Sequence, residues 1–100
     1  MSPIDFDAFV VFCKTLVGRK LDAVGGKFRF TLQSITDHAF YYQTPSEKPL
    51  KQNLRYVKRV LEQYSSLKSL NPGHYANITP HGAYTLALIQ LYEKSESQKS

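Results

Sequence analysis

The sequence predicts a small α+β domain laid out as helix, three-stranded antiparallel sheet, helix, helix. Three observations predict it. The chain has 100 residues, enough for one hydrophobic core but not two. Apolar residues recur at helical spacing near both ends and again after residue 50. Between those stretches apolar and polar residues alternate, interrupted by turn residues, as in half-buried strands. With 42% hydrophobic and 21% charged residues, the composition is that of a folded globular chain and excludes a disordered or collagen-like polymer.

The first helix is capped by Ser2, takes Pro3 at its first position and carries Asp5 near its positive end. Phe6, Phe9, Val10, Cys13, Leu16 and Val17 form its apolar face, and Gly18 stops it. Strands over 21–24 and 27–33 flank Gly25-Gly26, a hairpin signal because tight hairpin turns need positive φ. In the second strand Phe28, Phe30 and Leu32 alternate with Lys27, Arg29, Thr31 and Gln33. A third strand over 39–44 follows the turn at Thr36-Asp37-His38, where Ile35 pairs with Phe40. Ile35 is out of step with Phe28, Phe30 and Leu32, and a bulge near Ser34 reconciles them. Of the adjacent pair Tyr41 and Tyr42, one must face away from the core.

Ser46 caps a second helix that tolerates Pro49 in its first turn and runs to about Tyr64. Leu50, Leu54, Val57, Leu61 and Tyr64 give it the cleanest amphipathic pattern in the chain. A long connection over 65–79 contains the turn Asn71-Pro72-Gly73, and Thr79-Pro80 opens a third helix to about Lys94. The predicted core is Phe9, Cys13, Leu16, Phe28, Phe30, Leu54, Val57, Leu61, Tyr84 and Leu88. Residues 1–94 form the domain and 95–100 a flexible C-terminal tail with no reason to be ordered.

Charge is the unusual feature. The net +5 is uneven: residues 14–68 hold eleven bases and four acids, a balance of +7, while neither end carries an excess of base. At about 100° per residue, a helix through this stretch brings Lys48, Lys51, Arg55, Lys58 and Arg59 into one arc. Such a face suits phosphates, in contacts that carry no sequence information and weaken with salt. Gln52, Asn53 and Gln63 would add hydrogen bonds, and Lys27 and Arg29 on the hairpin would widen the patch.

Catalytic patterns are missing. The three histidines, His38, His74 and His81, have no metal-ligand spacing, and Gly25-Gly26 lacks the Gly-Lys-Ser/Thr of a phosphate loop. The aspartates fall on different elements, and Cys13 sits mid-face on a helix, where a thiol is a small buried hydrophobe. No enzyme, metal or cofactor is predicted. A single cysteine, an acidic start over 1–5 and the lack of a long apolar run predict a cytoplasmic protein without a membrane span.

Two functions follow. The leading one is a small non-enzymatic nucleic-acid-associated protein. It would contact DNA or RNA backbone through Lys27, Arg29, Lys48, Lys51, Arg55, Lys58 and Arg59. The alternative is an interaction or regulatory module, a homodimeric adaptor or inhibitor. The third helix is apolar nearly all round, so Leu86, Ile89 and Tyr92 would form its interface and the basic helix would face an acidic protein.

Overall fold

Asp5, not Ser2, starts the described part of the first helix. In the computed structural model, which describes residues 4–24, 26, 28–44 and 49–98, the Asp5 carboxylate accepts from the backbone N–H of Asp7 at 3.2 Å. Helix α1 then runs Phe6–Lys14 and buries Phe9 and Cys13. Gly18 ends this turn of chain with φ +87°, in the region that favours glycine, and its N–H donates to Leu32 O at 2.7 Å. The expected caps Ser2-Pro3 and Ser46, the hairpin residue Gly25, and the candidate cations Lys27 and Lys48 lie outside the described residues.

Four strands follow, where the sequence predicts three: β1 (Lys20–Asp22), β2 (Arg29–Ile35), β3 (Ala39–Gln43) and β4 (Pro49–Asn53). They form an antiparallel meander in chain order. The expected bulge is present. Leu32 pairs with Tyr42 but Ser34 pairs with Tyr41, so β2 carries one extra residue and Ile35 regains the inward parity of Phe30 and Leu32. At the turn that follows, Thr36 Oγ1 accepts from the N–H groups of both His38 and Ala39 at 3.1 Å.

The fourth strand corrects the second helix. Residues 49–53 pair with β3 in full register, Tyr41 opposite Lys51 and Tyr42 opposite Leu50. Leu50 faces inward in either conformation, so the periodicity cannot separate them. The sheet decides. β4 is an edge strand, and Pro49 is its first residue, a place where a missing N–H costs no ladder bond. Helix α2 (Leu54–Leu67) starts immediately after it, with Asn53 as its N-terminal flanking residue. Its buried face is Val57, Val60, Leu61 and Tyr64. Lys68 ends it in the left-handed conformation, its N–H donating to Tyr64 O at 2.8 Å.

The connection to the last helix is built. Asn71 Oδ1 accepts from Gly73 N–H at 2.9 Å and starts a 3-10 turn over Pro72–Tyr75. Tyr75 is fully buried, and its hydroxyl donates to Ser69 O at 2.7 Å. Thr79 Oγ1 accepts from His81 N–H at 3.1 Å ahead of α3 (Gly82–Gln98), which continues four residues past the expected end at Lys94.

All three helices cover one face of the sheet. Leu21, Phe30, Leu32, Phe40 and Tyr42 face α1, α2 and α3 across a single core, while Lys20, Asp22, Arg29, Gln33 and Lys51 are exposed on the other face. Phe28, Leu54 and Tyr84, expected in the core, are half-buried and pack against it. Helix α3 packs against both α1 and α2, which explains its all-round apolar composition: it is the central helix. The expected interface strip is therefore not a surface. Leu86 and Ile89 are each 0% exposed, and half-buried Tyr92 meets Phe9 and Phe12 edge-on at 5.8 and 5.4 Å, closing the seam between α3 and α1. Among the described residues no helix is long and apolar enough to cross a membrane.

A polar cluster sits inside this core. Gln52 Oε1 accepts from the Tyr42 hydroxyl at 2.9 Å and from the Thr85 hydroxyl at 2.7 Å, tying β3, β4 and α3 together. All three side chains are buried, and among the described residues no buried side-chain polar atom lacks a partner. A Tyr42→Phe variant removes one donor and leaves Gln52 bonded to Thr85. It should cost about 0.5–1.5 kcal/mol in urea unfolding. A loss of several kcal/mol would mean that the cluster acts as a cooperative unit.

Candidate nucleic-acid interface

Arg55 and Arg59 stand one helical turn apart on α2, a spacing that places both side chains on one face. Both are exposed, on the side of the helix opposite Val57, Val60, Leu61 and Tyr64. Arg29 pairs with Asp22, and among the described residues neither α2 arginine has a carboxylate within 4.0 Å. The Arg55 guanidinium lies over the Tyr56 ring, 5.6 Å from its centroid. Lys58 turns toward α1 instead. Its ammonium is 6.0 Å from the Phe6 ring centroid, beside a cleft of about 510 Å³ whose lining includes Asp5, Asp7 and Glu62.

Lys51 leaves the helical arc altogether. It sits on β4, on the outer face of the sheet, opposite Tyr41. Gln52, expected as a surface hydrogen-bonder, is buried in the core cluster, and Gln63 donates to His74 O at 2.9 Å. Asn53 keeps its position beside the basic residues, and its amide makes no capping bond to α2.

Arg29 and the α2 arginines lie on two different surfaces. Arg29 lies on the outer face of the sheet, its Nε 2.9 Å from Asp22 Oδ1, and both side chains are 69% and 68% exposed. Such a pair adds little stability, but it shares Arg29's charge with a carboxylate. The core lies between that face and the exposed side of α2. Phe30 is buried and Phe28 half-buried, and both rings pack on Tyr84, with centroids 5.0 and 5.5 Å away. Tyr42 is the inward member of the Tyr41–Tyr42 pair, and Tyr41 is half-exposed beside Lys51.

A second concave site adjoins the basic helix. The end of β4 and the start of α2 meet the segment before α3 in a cleft of about 350 Å³, lined in part by Lys51, Asn53, Tyr56 and His81. Partial burial lowers the His81 pKa below the ordinary histidine value. The spacing of these residues in the chain gives no sign of the cleft, because it joins 51–56 to 78–81 through the tertiary fold.

Cys13 is buried in the core, and burial pushes its thiol pKa well up. It should resist a thiol-modifying reagent in the folded protein and react on unfolding; rapid labelling of the native chain would contradict the burial. His74 Nδ1 is 2.6 Å from the Ser69 hydroxyl, away from His81. Among the described residues no three His, Cys, Asp or Glu side chains gather as a metal site would need.

Comparison with protein-family models, curated proteins and solved structures finds no match for this chain.

Proposed function

We propose that the chain is a non-enzymatic nucleic-acid-binding protein whose principal phosphate contacts are Arg55 and Arg59 on the exposed face of α2. The observation that carries this reading is the pair of arginines one turn apart, without a carboxylate in ion-pair range among the described residues. Arginine presents a planar fork of donors that matches phosphate oxygens, and a guanidinium is more weakly hydrated than an ammonium. Lys51, on the outer face of the sheet, and Lys58, turned toward α1, lie off the arginine face and play a lesser part. Glu62, also exposed on α2, opposes the arginine pair. Arg29 plays a lesser part, because Asp22 competes for it. A cytoplasmic location belongs to the same proposal.

Binding of a fluorescein-labelled oligonucleotide, followed by anisotropy at low salt, tests this. Saturable binding is expected. No binding at low salt, with the protein folded by circular dichroism, would overturn it.

A further inference from the structure

We propose that the cleft between the end of β4 and the start of α3 takes a single unstacked nucleobase, so that the chain prefers single-stranded to duplex nucleic acid. This rests on the phosphate-binding reading of α2 and deepens it.

The lining has the parts a base requires. Tyr56, Ile78 and Pro80 supply an aromatic and apolar wall for a ring face. Asn53 supplies an amide with donor and acceptor atoms for a base edge, and that amide is not spent on capping α2. His81 adds a ring whose lowered pKa keeps it neutral near pH 7, with one donor and one acceptor nitrogen. Lys51 supplies charge for the phosphate that accompanies the base. The volume, about 350 Å³, lies at the small end of ligand sites and suits one base and its sugar, not a stacked pair.

Position links the cleft to the basic face. Tyr56 belongs to the cleft lining, and the Arg55 guanidinium rests against the Tyr56 ring. A strand whose backbone runs along Arg59 and Arg55 therefore arrives at the cleft with its next nucleotide. Tyr41, the cross-strand partner of Lys51, stands half-exposed beyond it. In a duplex the bases are stacked and paired, and drawing one out costs free energy that a single strand does not spend.

The test compares a labelled single strand of mixed sequence with an abasic strand of the same length, which keeps every phosphate and lacks the bases. The expected result is binding on the order of tenfold tighter to the strand with bases. Tyr56→Ala and His81→Ala should each bring that ratio toward one, and Arg59→Ala should weaken both strands alike. Equal affinity of the natural chain for the two strands would overturn the cleft and retain the phosphate reading. Binding to neither would overturn both. A ratio that survives in both folded cleft variants would also overturn the cleft. The comparison on the unaltered protein decides even where a variant fails to fold.

Discussion

Leu86→Ala should destabilise the protein by about 2–5 kcal/mol without changing its state of association. Leu86 is fully buried in α3, the helix that packs on both α1 and α2, and truncating it leaves a cavity in the hydrophobic core. For a domain of this size the whole stability is about 5–15 kcal/mol, so the variant loses a large share of it. Each kcal/mol lowers Tm by roughly 4–8 °C. Urea unfolding and sedimentation velocity together decide between the two roles that the sequence allows. A core residue gives a lower unfolding midpoint at unchanged mass. An interface residue would give an unchanged midpoint at low concentration and a loss of dimer. Ile89→Ala should behave in the same way, since Ile89 is equally buried.

The second large effect is on binding. Removing Arg55 and Arg59 together should weaken oligonucleotide binding on the order of a hundredfold at low salt, taking about one hydrogen-bonded ionic contact per residue. The fold should be untouched, because both side chains are exposed and neither joins an ion pair among the described residues. Neutralising Glu62 should have the opposite sign and tighten binding, since a carboxylate on the same exposed helix face repels phosphate. Arg29→Ala should matter less, because its guanidinium is already engaged by Asp22.

Much of the fold is legible in local pattern. Phe9, Cys13 and Leu16 are buried as their spacing requires, and the pairing of Ile35 with Phe40 and the bulge near Ser34 follow from parity and are present; α1, however, ends at Lys14, four residues before the expected stop at Gly18, and Val17 is exposed. The errors arise where two structures bury the same residues. Leu50 is inward both on a helix and on β4, and the edge position of β4 makes the strand acceptable for Pro49. Helix propensity and a clean amphipathic pattern yield there to pairing with β3. In α3 the all-round apolar pattern is compatible with a shared surface or a central position, and only packing against α1 and α2 separates them.

The candidate site was half legible. The excess of base over residues 14–68 is a property of composition, and Arg55 and Arg59 share a face as their spacing requires. Lys51 left that face when residue 51 became strand, and Lys58 turned to Phe6 because it lies at the margin of the exposed arc, beside α1. Asn53, Tyr56 and His81 meet only because the segment before α3 returns to the end of β4. That closure joins residues more than twenty apart in the chain, and no periodicity reports it.

The salt dependence of oligonucleotide binding tests the phosphate-binding role of α2 most directly. With unaltered protein, log K should fall linearly with log salt concentration, and the Arg55→Ala, Arg59→Ala double variant should show a slope shallower by about 1.4–1.8, the counterions released by two phosphate contacts. Binding that ignores salt, or a double variant with the slope and affinity of the unaltered chain, would contradict it.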